Sequence, residues 1–494
     1  MDPNETIHYN PSRRSFLINA SLASLSFLAV PLFTGGCEDI FRKIKNRPVR
    51  RCIKDARAVN QQLDIYKAAV TAMRALPSSD PRNWTRQATI HDNFCPHGNW
   101  FFFPWHRIYL HNFENICRKL TNEPTFGLPY WDWCVEPRIP GQFWGAGNPL
   151  NNATRVATSI STASAVSVGL PLVDGFCDEP NFNIFAGGNA ASLRPAGPRV
   201  YGNIEATPHN YIHGTFIRGD MASFMSPLDP IFWSHHCMAD LCWFEWNITR
   251  AHPNTSDPVW ANFDHSGMFV DGDGNPASMT SGMSQLLPLL SYRYETGIDC
   301  VEILDVKSIV AKNNTDFEKT KAIVQKGAPI RMDVKQRFRF AEKTMITSER
   351  IGGATIKTDA NAFSRVIANA KDERVLLALK GVSEPVDSDL FLRVFINKED
   401  VTAQTSTDDP HYAGSFYFFR HNRDAQIETA DFTVDITSTM RNLQQTGALG
   451  DLSNLKINIV AVPVEGKDAA NASIGIEAVE CYIASVTTDK MDIK

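Results

Sequence analysis

The sequence predicts two folded parts in succession: a mainly α-helical domain and then a β-sandwich domain. Helix-like runs occur at residues 51–76, 84–94, 105–120 and 206–216 and again after Pro230, and in the third run apolar residues recur every three or four positions. Further along the chain, short strand-like runs alternate with turn residues, which is typical of a sandwich. A chain of 494 residues is long enough for two such domains.

Domain boundaries follow changes in composition. Residues 1–36 have a basic start, a short apolar stretch and small residues, the pattern of an export signal; the paired Arg13 and Arg14 favour the twin-arginine type. We expect the helical domain at residues 37–298, a charged and polar linker at 299–331 and the sandwich at 332–494. Within the helical domain, a long stretch rich in Gly, Ser, Ala, Asn and Pro (137–204) predicts irregular structure.

Charge and hydropathy exclude two classes of function. The formal net charge of -5 argues against nucleic-acid binding, which needs a basic surface. After the signal, no apolar run is long enough for a membrane span. We therefore expect a periplasmic or secreted protein, with lipid attachment at Cys37 as a minor alternative. The oligomeric state is not predicted.

Histidines are concentrated in two short segments that are rich in aromatic residues. TIHDNFCPHGNWFFFPWHR (89–107) contains His91, His97 and His106, and the second segment contains the pairs His209/His213 and His235/His236. Imidazole suits copper, zinc, iron and nickel, whereas hydrolytic two-metal sites and di-iron bundles usually use carboxylates. The scarcity of carboxylates among the candidate ligands indicates copper. The aromatic run around Trp105 is expected to surround the metals and exclude water from them.

These segments resemble the CuA and CuB signatures of the tyrosinase family, the type-3 copper proteins. The resemblance rests on FFFPWHRIYLHNFE, which contains His106 of the first segment, and on DPIFWSHHCMAD, which contains His235 and His236 of the second. LFLRVFINKED and HYAGSFYFFRH resemble the C-terminal domain of plant-type polyphenol oxidases, and SYRYETG, with Tyr292 and Tyr294, resembles the motif that closes their catalytic domain. Together with the export signal, the resemblance suggests a bacterial member.

The resemblance implies a four-helix core that holds two copper ions. It assigns three histidines to each ion, CuA to His91, His97 and His106, and CuB to His209, His213 and His236. It places His235 beside the site rather than on the metal. Asp240 is expected either to orient His235 or to pair with an arginine. We expect His111 to have a structural role.

Cys95 lies two positions before His97, a spacing at which many family members join cysteine and histidine by a thioether bond. We therefore expect this bond here; the alternative is a small buried cysteine. Asp92 stands where plant enzymes have a disulfide cysteine, so the plant disulfide scheme is not carried over.

Four other residues bear on the reaction by resemblance. Glu205 and Asn210 match residues that hold and polarise a water molecule, which could accept the proton of a phenol. The alternative for Glu205 is stabilisation of a helix N-terminus. Phe224 matches a bulky gate residue, and we expect Met225 to line the same entrance, although both could be ordinary core residues.

The implied function is copper-dependent oxidation of phenols by O2, as in melanin-type pigment formation or phenolic metabolism. Monophenols would be hydroxylated at the ortho position and o-diphenols oxidised to o-quinones. The alternatives are a catechol oxidase or o-aminophenol oxidase without action on monophenols, and a haemocyanin-like oxygen carrier. By resemblance, the C-terminal domain is expected to cover the copper entrance until the linker near Lys321–Lys326 is cut.

Overall fold

The computed structural model describes residues 47–54, 56–250, 252–285, 290, 292–295, 330–347, 350–369, 373–385, 390–419, 429–464 and 473–488. The predicted export signal, Cys37, the expected cleavage site and nearly all of the predicted linker lie outside these residues. None of the helices in the described ranges combines the length and the apolar character that a bilayer crossing requires.

The first part of the chain is helical, as predicted. Its α-helices are α1 (Ala56–Ala75), α2 (Trp84–Phe94), α3 (Phe102–Thr121), α4 (Ala165–Val168), α5 (Leu170–Cys177), α6 (Phe182–Ala186), α7 (Ile231–Phe244), α8 (Pro258–Ala261) and α9 (Ser281–Ser284). Short 3-10 turns lie at Gly141–Phe143, Gly219–Ala222 and Ser226–Leu228, and π-helical turns at Glu205–His209, Tyr211–Ile217 and Glu245–Thr249. Helix α3 packs against both α1 and α7, so it lies at the centre of the domain.

Local sequence explains where the central helices begin and end. The Asn83 side chain accepts hydrogen bonds from the first backbone N–H groups of α2, which have no partner inside the helix. Helix α3 begins at Phe102, before the predicted start, because Pro104 is tolerated in a first turn. It ends where Asn122 adopts a left-handed conformation, with φ of 56°.

Two other helix predictions differ from the structure. The run at 51–76 becomes helical only at Ala56, because the chain after strand β1 (Val49–Arg50), which pairs in parallel with β5 (Arg293–Tyr294), stays extended where Cys52 forms a β-bridge with Tyr130. The run at 206–216 is π-helical over most of its length (Glu205–His209 and Tyr211–Ile217). Such wider turns are rare and occur mostly at functional sites.

The second part of the chain is a two-sheet sandwich, as predicted. Three short strands lie in the first part of the chain: β2 (Arg199–Val200), β3 (Phe269–Val270) and β4 (Pro276–Ala277). The strands of the second part are β6 (Ile330–Phe340), β7 (Thr344–Thr347), β8 (Gly352–Lys357), β9 (Glu373–Ser383), β10 (Leu390–Ile396), β11 (Tyr412–Phe416), β12 (Thr429–Asp435), β13 (Asn454–Pro463), β14 (Ser473–Ile476) and β15 (Ala478–Thr488). One sheet has the order β11-β10-β13-β8 and the other β2-β12-β9-β15-β6. Helices α10 (Ala360–Asn369) and α11 (Thr437–Gln445) were not predicted.

The two domains share structural elements. Strand β2 comes from the irregular region of the helical domain, yet it pairs in parallel with β12 and forms the edge of the larger sandwich sheet. Ile184 of α6 joins a buried cluster with Leu376, Ala378, Tyr482 and Ala484 from β9 and β15. The larger sheet is therefore covered by the helical domain, which explains why β9 is apolar on both faces.

Candidate metal centre

The first cluster places three imidazoles around one point. His91 lies on α2, His97 follows that helix and His106 lies on α3. The Nδ1 atom of His91 is 2.6 Å from the carbonyl of Phe224, and that of His106 is 2.8 Å from the carbonyl of Phe102. A carbonyl only accepts hydrogen bonds, so each Nδ1 carries the proton and each Nε2 keeps its lone pair for a metal.

The second cluster is built from the π-helical segment and α7. His213 Nδ1 is 2.7 Å from the Met221 carbonyl, and His209 Nδ1 is 2.9 Å from Asn210 Oδ1. His236 lies with its Nε2 3.2 Å from His213 Nε2, and its ring stacks on His106 with centroids 4.2 Å apart. The two clusters are therefore in direct contact across this pair of rings.

His235 Nδ1 faces a hydrogen-bond donor, whereas the Nδ1 atoms of His91, His97, His106, His209 and His213 face acceptors. The indole N–H of Trp133 donates to His235 Nδ1 over 3.2 Å. Because an indole nitrogen can only donate, Nδ1 must be the accepting nitrogen, and the proton of the neutral ring lies on Nε2. That tautomer leaves no lone pair on Nε2 for a metal, in keeping with a place beside the site.

The donor atoms fit a pair of copper ions. In each cluster one potential ligand atom per residue lies within 4.8 Å of all the others: His91, Cys95, His97 and His106 in the first, and His209, His213, His235 and His236 in the second. The buried Nε2 atoms of His91, His209 and His235 have no hydrogen-bond partner among the described residues, and in His91 and His209, whose Nδ1 carries the proton, Nε2 keeps a lone pair for a metal. Burial lowers the pKa of His106 to about 3 and that of His213 to about 4, so both rings are neutral and able to bind copper.

Cys95 faces this centre. Its buried Sγ lies 3.1 Å from His97 Nε2 and 3.3 Å from His106 Nε2. Burial raises the pKa of the Cys95 thiol well above its ordinary value, while the charge of Arg194 acts in the opposite direction.

Glu205 and Asn210 each contact a histidine of the centre. Glu205 Oε1 accepts hydrogen bonds from His97 Nδ1 at 2.7 Å and from the Gly98 N–H at 2.9 Å. Burial raises the pKa of Glu205 well above that of an exposed carboxyl group, although the Gly98 hydrogen bond opposes this. Asn210 holds His209 through Oδ1 and donates from Nδ2 to the carbonyl of Tyr417. The resemblance implies a water-holding pair, and the structure adds that Glu205 contacts the predicted ligand His97 and Asn210 the predicted ligand His209.

Asp240 pairs with arginines, one of its two predicted roles. Its carboxylate accepts from Arg107 Nε at 2.5 Å and Arg50 Nη1 at 3.0 Å, and from the hydroxyls of Tyr292 and Tyr294 at 2.7 and 2.6 Å. Burial alone would raise the pKa of Asp240, but the two guanidinium groups hold it below its ordinary value. The predicted Tyr-x-Tyr motif thus ties β5 to helix α7.

Phe224 and Met225, the predicted entrance residues, lie beside the first histidine cluster. Phe224 is buried, with its ring centroid 5.8 Å from His91 and 5.7 Å from His97, and Met225 follows it at half-buried depth. His111 is half-buried on α3, where its Nε2 lies 3.3 Å from Asn115 Nδ2.

Phe419 of the C-terminal domain reaches the centre and was not identified from the sequence. It is fully buried, with its ring centroid 4.9 Å from both His97 and His213 and 6.0 Å from His209. The available signal was the aromatic run FYFF in HYAGSFYFFRH, which continues past the end of β11.

Comparison with known proteins accounts for both domains. The common central domain of tyrosinase matches residues 70–180 and 150–249, and the C-terminal domain of chloroplastic polyphenol oxidase matches residues 352–481. The chain belongs to the tyrosinase and polyphenol oxidase family. It is an oxidoreductase of the polyphenol oxidase type, which oxidises phenols with O2 and two copper ions.

Individual relatives are distant. Polyphenol oxidase A1 of Vicia faba is 30% identical over 301 residues, which cover 52% of this chain and 49% of that protein. The latent polyphenol oxidase of Prunus armeniaca is 26% identical over 472 residues, covering 85% of this chain and 75% of that protein. Tyrosinase HcTyr1 of Hahella sp. is 28% identical over 286 residues, covering 47% of this chain and 60% of that protein. A bacterial source remains a prediction, because most of these relatives are plant proteins.

Solved structures share the two-domain fold. Recombinant latent aurone synthase matches with a TM-score of 0.68 at 22% identity, over 90% of each chain. Latent apple tyrosinase matches with a TM-score of 0.61 at 21% identity, over 89% of this chain and 97% of that chain. The predicted helical core with a following β domain is confirmed.

Proposed function

We propose that this polyphenol oxidase acts on both monophenols and o-diphenols and gives o-quinones. The observation that carries the proposal is the acidic residue Glu205 within hydrogen-bond distance of the ligand candidate His97, in a centre otherwise made of neutral imidazoles. A monophenol must lose its proton before it can be hydroxylated. A buried carboxylate with a raised pKa is a stronger proton acceptor than an exposed one, and it could act through a water molecule that Asn210 also contacts.

The proposed ligands are three histidines for each copper ion. CuA is held by His91, His97 and His106, and CuB by His209, His213 and His236. When bound, the copper pair supplies O2 binding and electron transfer from the phenol. The tautomer enforced by Trp133 supports the exclusion of His235 from this set.

A thioether between Cys95 and His97 is also proposed. The distance of 3.1 Å from Sγ to the His97 ring places the two groups in contact, as this bond requires. The bond would fix the His97 ring, whose other side Glu205 already holds.

We propose further that the described state is latent and that Phe419 is the residue that blocks the copper pocket. Its ring occupies the space between His97, His213 and the gate residue Phe224, from which its centroid is 6.1 Å. A phenol ring would have to lie against the same histidines. Release of the C-terminal domain, by cleavage of the linker after export, is the proposed activation step.

Oxygen uptake by the copper-loaded full-length protein tests the function, with a simple monophenol and then with its o-diphenol, before and after limited proteolysis. We expect uptake with both phenols. Uptake with the diphenol alone would make the protein a catechol oxidase, and o-aminophenol would then be the next substrate. Reversible O2 binding without turnover in the proteolysed protein would favour an oxygen carrier instead.

A further inference from the structure

Three cysteines of the helical domain lie beside the end of helix α7. Cys177 is the last residue of α5, Cys242 lies in the last turn of α7, and Cys134 lies in a turn between α3 and α4. The Cys177 Sγ atom is 3.8 Å from the Cys242 carbonyl oxygen, although the two residues are 65 positions apart in the sequence. Both are almost completely buried, whereas Cys134 is half-buried. The contact joins the end of α5 to the helix that carries His235 and His236.

The side chains of Cys177 and Cys242 also contact each other. A hydrogen bond between the two thiols, together with burial, raises the pKa of the Cys242 thiol well above its ordinary value, and Cys177 and Cys134 act electrostatically in the same direction. A thiol is a weak hydrogen-bond donor and acceptor, so two buried thiols gain little from this contact. Because α5 and α7 already pack against each other, a bond between the two sulfur atoms needs no large backbone movement.

The ion pairs that tie α5 to the chain after α7 are exposed. Arg250 pairs with Asp174 and Asp178, and more than half of each carboxylate side chain is exposed to solvent. Ion pairs of this kind contribute little to stability. At the other end of the same segment, Ser167 of α4 bonds to the hydroxyl of Tyr417 in the C-terminal domain, with 2.5 Å between the oxygens. A covalent link to α7 would keep α4 and α5 on the helical domain when the C-terminal domain is released.

We propose that Cys177 and Cys242 form a disulfide bond once the protein has reached an oxidising compartment. The predicted export signal favours such a compartment, where disulfides form and persist. Each thiol gives up one proton and one electron, and the two sulfur atoms form one bond; a disulfide oxidant accepts both electrons and both protons and becomes two thiols. Cys134 stays a thiol. The proposal does not depend on the phenol oxidation proposed for the copper centre.

The test counts thiols in the full-length, copper-loaded protein before and after oxidation. The reduced protein is incubated without O2, so that the copper pair is not the oxidant, with an excess of oxidised dithiothreitol. This cyclic disulfide leaves no stable adduct on a lone thiol. Thiols are then titrated with a chromogenic disulfide in denaturant with EDTA. We expect the wild type to lose two thiols per chain on oxidation, and no loss in the wild type would overturn the proposal.

Single substitutions identify the pair. Cys177→Ser and Cys242→Ser should each lose no thiol on oxidation, because the remaining cysteine has no partner for the bond. Cys117→Ser is the matched control, since Cys117 is also fully buried in the helical domain but lies on α3. This control and Cys134→Ser should both still lose two thiols. A loss of two thiols in Cys177→Ser, or no loss in Cys134→Ser, would assign the bond to other cysteines and overturn the proposal.

Peptide mass spectrometry of the oxidised wild type needs no variant to fold. After free thiols are alkylated and the protein is digested without reduction, the peptides that contain Cys177 and Cys242 should appear as one linked species, two hydrogen atoms lighter than their sum. Recovery of both cysteines in alkylated form would overturn the proposal. If the linked species is found in a protein that oxidises no phenol, phenol oxidation fails and the disulfide stands.

Discussion

Replacement of Phe419 by alanine should activate the full-length enzyme without proteolysis. The ring is fully buried among His97, His213 and Phe224, so its truncation removes both the block and a large apolar contact between the domains. Truncation of a buried Phe typically costs about 3–5 kcal/mol. If that loss falls on the closed state, the ratio of open to closed molecules rises by at least about a hundred-fold.

The assay is oxygen uptake with an o-diphenol, with protease-treated wild type as the upper limit. The matched control is Phe418→Ala, because Phe418 is equally buried but lies in the sandwich core, with its ring centroid 5.8 Å from Phe432. We expect high activity in Phe419→Ala and low activity in Phe418→Ala. Equal activation of both variants would point to general loosening of the domain. If Phe419→Ala shows no oxygen uptake while the proteolysed wild type is active, another group blocks the pocket.

Three other changes have defined outcomes. Asp240→Asn leaves the buried Arg107 guanidinium without its carboxylate and leaves Arg50 with Glu114 alone, so urea unfolding of the copper-free protein should show a loss of about 3–5 kcal/mol, against under about 1 kcal/mol for Asp174→Asn in an exposed ion pair. Cys95→Ser should abolish the thioether, which peptide mass spectrometry detects in the wild type as a loss of two hydrogen atoms. The free energy of unfolding of the copper-free protein should fall as the pH is lowered from about 6.5 to 4. In this range the unfolded chain protonates its histidines, whereas burial keeps His106 and His213 neutral in the folded protein. A free energy of unfolding that does not change with pH in this range would contradict this.

The sequence was sufficient to predict the histidine clusters and the order of the domains. Helix α2 has the predicted bounds, and the structure shows that a local feature, the Asn83 cap, fixes its start. Spacing alone did not decide the conformation of the segment that carries His209 and His213. Its π-helical turns contain Pro208, which has no N–H to donate to a regular helical hydrogen bond.

Contacts between segments far apart in sequence could not be predicted. The position of Asp240 on α7 was compatible with either of two partners, and only the tertiary structure brings Arg50 and Arg107 to it. Likewise, the sequence of the aromatic residues that follow β11 does not indicate which ring faces the histidine clusters. Phe418 faces the sandwich core and Phe419 the copper centre, an alternation that depends on how the two domains pack.

The C-terminal domain touches the copper centre through its backbone as well as through Phe419. The Tyr417 N–H donates to the Ala206 carbonyl at 3.0 Å, and the Tyr417 carbonyl accepts from Asn210 Nδ2 at 3.0 Å, while Asn210 Oδ1 holds His209. Release of the C-terminal domain would therefore break hydrogen bonds to the segment that carries His209 and His213, the proposed CuB ligands. Because the same amide group contacts both His209 and the covering domain, the proposed latent state would orient a proposed copper ligand while the Phe419 ring blocks access to it. On this proposal, blocking and preorganisation of the centre are two consequences of one set of contacts.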